Sequence, residues 1–185
     1  MERFRWGFIA VFFLLVGQAA VWTGNARAEE DDFLIAIGGS YSFVFEDSQW
    51  HSKEWWGGNL KIGYFAARNA SIQIDVHYVP DVETGFAEET DIYSAMLSAK
   101  GYFPDMKRIR FSVVRPFVIA GIGGIRVSYP DDEEITEFGY KLGLGMDFVL
   151  ARHFSLWVEG NYTRGFERLK DLEMINTLAG FAINF

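Results

Sequence analysis

The chain has 185 residues, half of them hydrophobic and 17% aromatic, with a formal net charge of −8 and no cysteine. That length suits one domain rather than two, the acidic balance opposes a nucleic-acid surface, and the missing thiols exclude disulfide staples and cysteine chemistry. The fold must hold by backbone pairing and packing.

Residues 1–28 come first. Arg3 and Arg5 precede an apolar run from Trp6 to Val16, and Ala26-Arg27-Ala28 follows with small residues spaced A-x-A. This pattern predicts a secretory signal peptide cut after Ala28, with residues 29–185 as the mature domain. The alternative is an uncleaved anchor helix, which Gln18 and the small-x-small site disfavour. Beyond residue 28 no apolar run reaches the roughly eighteen residues of a membrane helix.

Eight alternating segments follow: Phe33–Phe45, Trp56–Ala66, Ala70–Val79, Ile92–Phe103, Pro116–Tyr129, Phe138–Leu150, Phe154–Phe166 and Met174–Phe185. In the third, Ile72, Ile74, Val76 and Tyr78 share one face, and Ser71, Gln73, Asp75 and His77 the other, because successive strand residues point oppositely. Helical spacing fits only around Glu167–Met174. The connections alternate in length. Long polar ones (Glu46–Trp55, Asp81–Asp91, Pro130–Glu137, Glu167–Glu173) are separated by tight turns at Ala67-Arg68-Asn69 and Ala151-Arg152-His153. One connection, between the fourth and fifth segments, is longer than its place in that alternation predicts.

Alternation suits a soluble sandwich with its apolar face inward, or a membrane barrel with that face outward. Three features choose the barrel. Aromatics gather at the ends of the apolar faces (Phe33, Phe43, Tyr64, Tyr78, Phe103, Phe117, Tyr129, Tyr140, Phe148, Phe154 and Tyr162), as two interfacial girdles require. Ten residues at ~3.3 Å rise, tilted about 40°, cover roughly 25 Å, the height of an apolar band. The polar faces mix Gly and Ser with long charged side chains, which suits a narrow interior. The expected fold is all-β: an eight-stranded antiparallel transmembrane up-and-down β-barrel.

An eight-stranded barrel has an interior just wide enough for side chains to fill. The expected lumen carries Lys61, Lys100, Arg126 and Lys141 against Asp75, Asp147 and Glu159. Enclosed charges must pair or bind water, so these seven are expected to plug the lumen by ion pairing. A narrow pore for ions or small solutes is the rival.

The segment R-P-F-V-I-A-G-I-G-G-I-R, Arg115–Arg126, resembles the fifth strand of small outer-membrane barrels of the outer membrane protein A and opacity-protein type. Y-K-L-G-L-G-M-D-F-V-L-A-R-H-F-S-L-W-V-E-G-N-Y, Tyr140–Tyr162, resembles the hairpin that follows in that family. The terminal T-L-A-G-F-A-I-N-F, ending at Phe185, is similar to the signal such proteins present to the barrel assembly machinery. The resemblance implies a bacterial outer-membrane location; the expected role is structural or interactive, with membrane lipid and lipopolysaccharide around the barrel and the four long connections displayed at the surface and available to a ligand. No cofactor is expected, and the barrel is expected to act as a monomer. No peptidoglycan-binding domain is expected after the barrel, so cell-wall tethering in the outer membrane protein A manner is not implied.

Other candidates read more simply. His51 with Glu46, Asp47 and Glu54 matches no metal-ligand spacing, and Asp131-Asp132-Glu133-Glu134 reads as a solvated acidic loop before a calcium site. Lys107, Arg108, Arg110 and Arg115 cluster in the long fourth connection, where contact with anionic headgroups and plain solvation are equally expected. His153-Phe154-Ser155 matches the H-x-S of lipid A deacylases. It lies at the wrong end for that chemistry, with no acid in reach, so no enzyme is expected. A periplasmic lipocalin-like binder is the remaining alternative.

Overall fold

The structure, a computed structural model, describes residues 33–46, 53–67, 69–82, 90–103, 106–109, 112–129, 134–170 and 172–185. The expected leader lies outside them, as do His51, Arg110 and Asp131-Asp132-Glu133.

Alternating sequence becomes strand throughout: β1 (Phe33–Glu46), β2 (Lys53–Ala67), β3 (Ala70–Val82), β4 (Thr90–Tyr102), β5 (Met106–Ile109), β6 (Ser112–Ser128), β7 (Glu134–Ala151), β8 (Phe154–Gly165) and β9 (Leu172–Asn184). Eight of these form a closed antiparallel wall in the order β1-β2-β3-β4-β6-β7-β8-β9, with β9 returning to β1. The two ends of the chain make the seam. The amide of Phe33 donates to the carbonyl of Phe185 and the amide of Phe185 to the carbonyl of Phe33, each at 2.9 Å. Closure pairs the backbone all round, which a strand structure in lipid requires because no water is there to satisfy an open edge.

The wall has the eight strands expected, and β5 is an addition to it. β4 pairs with β6 down to Tyr102↔Phe117. Below that, β5 continues on the same edge, with Met106 opposite Val114 and Ile109 opposite Ser112. The overlong fourth connection is thus a hairpin that prolongs the sheet past the barrel's short-turn end. Strands also extend into the expected loops: Trp55 belongs to β2, Asp81 to β3, Thr90 and Asp91 to β4, and Glu134–Glu137 to β7. The possible helix at Glu167–Met174 is one 3₁₀ turn, Glu167–Leu169, before β9 begins.

The faces sort as period two demands. Ile74 is 55% exposed while its neighbour Asp75 is 2% exposed, and Leu144 on β7 is 67% exposed. Apolar side chains clothe the outside and polar ones the inside. Two expected girdle residues are exceptions. Phe117 is fully buried inside, and Tyr129 packs against an internal apolar cluster. Phe117 fits because Gly145 faces it across the β6–β7 ladder: a Cβ there would collide with the Phe117 ring.

The interior has three tiers. At the long-loop end Trp55, Val79, Ile92, Ile125, Leu169 and Met174 belong to one apolar cluster. At the short-turn end Leu34, Trp157, Leu178 and Ala182 form a second, beside a third of Tyr102, Phe117 and Ile119, with Phe65 packed against both. Between them lie the buried charges.

Candidate functional site

Period-two geometry projects Lys61 from β2, Asp75 from β3, Lys100 from β4, Lys141 and Asp147 from β7, and Glu159 from β8 into the middle tier, all buried. Their pairing crosses the lumen. Lys61 pairs with Glu159, although β1 and β9 stand between their strands. Lys141 pairs with Asp75 on β3 and lies 3.7 Å from Glu159, so four residues form one ionic chain. Sequence neighbours alone would suggest otherwise, since Lys61 and Asp75 face each other in the β2–β3 register.

Remaining lone pairs are filled by neutral donors, as buried carboxylates require. Gln73 Nε2 and Ser98 Oγ donate to Asp75 at 2.6 Å each. Asn161 Nδ2 donates to Glu159 at 2.8 Å, and its own oxygen accepts from Asn176 at 2.9 Å. The second pair sits closer to the short-turn end. Lys100 Nζ lies 2.8 and 3.0 Å from the two oxygens of Asp147, and the Tyr102 hydroxyl donates to the same carboxylate at 2.8 Å. Aromatic faces complete the cation sites, with Lys61 Nζ 4.1 Å from the Trp157 ring centroid and Lys100 Nζ 3.7 Å from that of Phe117. A cavity of about 30 Å³, touching Lys61, Gln73, Lys100, Asp147 and Trp157, has room for a water molecule or two.

One of the seven expected lumen residues is elsewhere. Arg126 lies on the outer wall near the long-loop end, half exposed and paired with Glu134. Its neighbours Ile125 and Val127 are the buried ones. The parity of β6 is set by Phe117, Ile119, Ile125 and Val127 pointing in, so Arg126, an even-numbered residue on that strand, must point out. Arg115, expected in the basic cluster of the fourth connection, instead belongs to β6, shares the inward parity and places its guanidinium 4.3 Å from the Tyr102 ring centroid at the short-turn mouth. His77, placed on the Asp75 face by the sequence but left out of the expected lumen network, has its Nε2 2.7 Å from Ser40 Oγ inside the barrel. The signal was present for His77, which follows the two-residue period of β3, but not for Arg115, since both faces of β6 carry apolar residues.

Ser155 of the H-x-S triplet faces the lumen and is buried. His153 is exposed in the β7–β8 turn, with Nδ1 3.1 Å from the carbonyl of Asn184. Glu159, the nearest downstream acid, is engaged by Lys61 and Lys141. Among the described residues no group of three or more His, Cys, Asp or Glu is placed to hold a metal ion.

A closed antiparallel wall with an apolar exterior and a charged interior is what lipid demands of a strand protein. The family model of the outer membrane protein beta-barrel domain matches residues 8–185. The chain belongs to the outer membrane β-barrel family. As an outer membrane β-barrel protein it spans the outer membrane of a Gram-negative bacterium, with Ile74 and Leu144 toward acyl chains. Its fold is similar to that of Neisserial surface protein A, 16% identical with a TM-score of 0.70, over 83% of this chain and 97% of that one. Ail, the attachment invasion locus protein of Yersinia pestis, solved with the heparin analogue sucrose octasulfate, is 20% identical with a TM-score of 0.55, over 85% and 100%. The N-terminal beta-barrel domain of Pseudomonas aeruginosa OprF is 18% identical with a TM-score of 0.52, over 84% and 100%. At such identities the likeness is one of fold. Among curated proteins, none matches.

Proposed function

We propose that this outer membrane β-barrel protein is a sealed scaffold that holds its long connections at the cell surface, where they take part in structural or adhesive contacts. The observation that carries the reading is the three-tier interior. An ionic chain from Lys61 through Glu159 and Lys141 to Asp75 ties opposite walls together, and apolar clusters cover it at both ends. Breaking such a pair leaves a buried charge without its partner, at several kcal/mol, so the walls resist parting.

The pore reading has less support, since apolar clusters cover the ionic tier at both ends and the cavity beside Lys61 is only about 30 Å³. The enzymatic reading has less again, because His153 lies exposed in the turn while Ser155 and Glu159 are enclosed. In this proposal the chain is exported by a leader cut after Ala28, Phe185 is read by the barrel assembly machinery, and the protein acts as a monomer beside lipopolysaccharide without nucleic acid. The long connections carry Glu88-Glu89 and Asp131-Asp132-Glu133-Glu134, and only Lys53, Arg168 and Lys170 as basic residues. That charge opposes a sulfated polyanion of the kind bound to Ail and suits a basic protein surface.

Planar-bilayer recording of the purified, refolded protein tests the seal. No steady current above the bare-membrane level is expected, and a stable open-channel conductance overturns the reading.

A further inference from the structure

The long-loop mouth of the barrel is closed in part by a segment that does not belong to the wall. β8 ends at Gly165 and β9 begins at Leu172. Phe166 still lies on the outer wall, its ring 5.6 Å from that of Tyr140, and its amide donates to the Phe138 carbonyl at 2.8 Å. Glu167 then takes a φ of 48°, in the left-handed region that side chains rarely adopt, and the chain turns over the rim into one 3₁₀ turn. Glu167, Arg168 and Lys170 are exposed, whereas Leu169 is 5% exposed and belongs to the apolar cluster of that mouth. Every other described member of the cluster stands on a strand. Leu169 has room because residue 165 is glycine: a Cβ there would collide with the Leu169 Cβ and carbonyl. The turn is fastened from outside by Arg164, whose Nε donates to the Lys170 carbonyl at 3.0 Å and whose Nη1 lies 3.2 Å from a Glu173 carboxylate oxygen. On the lumen side, Ser42 stands opposite both Trp55 of the cluster and Asn176, two residues along β9 from Met174. Ser42 Oγ and Asn176 Oδ1 are enclosed without a hydrogen-bond partner among the described residues, a costly state that a small donor relieves.

We propose that this strap, Phe166 to Lys170, is a lid: Leu169 lifts out with its turn and admits water and small hydrogen-bond donors from the cell exterior to the polar positions around Ser42 and Asn176. The ionic chain from Lys61 to Asp75 and the apolar clusters of the short-turn end stay shut below. The lumen then becomes a chamber open to the outside, and not a pore. The proposal deepens the sealed-scaffold reading and rests on it. The strap is the part that moves because its fastenings are few and local. Its described amide bonds run within the turn, from Leu169 to Phe166 and from Lys170 to Glu167, whereas β8 and β9 are laddered on both sides. One apolar side chain and one arginine bracket hold the turn down, and the strained Glu167 favours release. Segments with few buried apolar contacts open first.

The chain has no cysteine, so a single thiol reports one position. Ser42→Cys is close to isosteric and breaks no hydrogen bond of the described residues. Its labelling by a small, water-soluble methanethiosulfonate, in the folded full chain in detergent, reads the chamber under the lid. Ser155→Cys, buried near the short-turn end beside the cavity, reads the far side of the ionic chain. R164Q removes the bracket, L169S removes the plug, and G165A wedges the plug out. A hydrogen bond from a charged group is worth roughly tenfold or more in such an equilibrium, so R164Q should speed labelling at position 42 by about that factor. L169S and G165A should do the same, and position 155 should keep its rate. Heat-modifiable migration checks folding, and R164Q, altered at the exposed rim, carries the test should the other two not fold. Equal rates at position 42 with and without these changes overturn the proposal, since the seal would belong to another part of the chain. Immediate labelling at position 42 under the unmodified strap overturns it as well, and so does an acceleration shared by position 155, the mark of a loosened barrel. Planar-bilayer recording separates the two readings. R164Q and L169S should stay as silent as the unmodified chain, and a current in them alone overturns the chamber. A steady current through the unmodified chain sinks the sealed scaffold itself, whereas unchanged labelling sinks the lid alone.

Discussion

Lys100 on β4 and Asp147 on β7 meet across the intervening strand β6, the ammonium 2.8 and 3.0 Å from the two carboxylate oxygens with the Phe117 ring beneath it. Burial makes the pair costly to break and inexpensive to replace as a unit. Lys100→Met leaves Asp147 with the Tyr102 hydroxyl but without the Lys100 ammonium, and should lower stability by about 3–5 kcal/mol. The double variant K100M/D147L should recover most of that loss. Urea unfolding from lipid vesicles measures both, and a double variant as unstable as the single would contradict the pairing.

Arg126 makes the opposite case. Its pair with Glu134 is about half exposed on both sides, and exposed pairs contribute roughly 0–1 kcal/mol. Arg126→Gln should therefore unfold within about 1 kcal/mol of the unmodified protein in the same assay, whereas Lys61→Met should lose several. Equal losses would return Arg126 to the interior.

Glycines separate in the same way by face. Gly145 looks into the lumen at Phe117, and a side chain there meets both that ring and the Val158 carbonyl. Gly160, on the outer wall, has open space around the position of a Cβ. Gly145→Val should destabilise by at least about 1–3 kcal/mol, the usual cost of overpacking, and Gly160→Ala should be near neutral. The heat-modifiability midpoint of each variant decides it.

Phe185 joins two roles, since its backbone closes the seam with Phe33 and its ring stacks on the Phe33 ring with centroids 6.4 Å apart. Phe185→Ala keeps the backbone bonds, so folding in detergent should change little. Insertion into the outer membrane of expressing cells should drop severalfold if the assembly machinery reads the terminal ring. Fractionation of cells carrying each form tests this, and equal insertion would remove the assembly role.

Most of the wall was legible because a two-residue period leaves no freedom: once Ile74 faces lipid, Asp75 must face the lumen. Legibility failed on β6. There Val118 and Ile122 face out while Ile119, Ile125 and Val127 face in, so both faces are apolar and periodicity gives no sign of direction. Phe117 and Arg126 were both misplaced by that one ambiguity. The apolar tiers were hidden for a related reason, since a lumen-facing leucine looks the same in sequence as a lipid-facing one. Pairing across the lumen was beyond reach, because Lys61 chooses Glu159 over its register neighbour Asp75 only when the barrel's closure brings β2 and β8 face to face. The β5 hairpin announced itself only as excess length.

The inside–outside assignment is read most directly by power-saturation spectroscopy of single spin labels in bilayers, at Ile74 and Leu144 on one face and Gln73 on the other. Labels at Ile74 and Leu144 should collide freely with membrane-dissolved oxygen and hardly at all with a water-soluble relaxant, while the Gln73 label should be shielded from oxygen. Labels at Ile74 and Leu144 that were shielded from oxygen, with the Gln73 label open to it, would show the wall to be turned the other way.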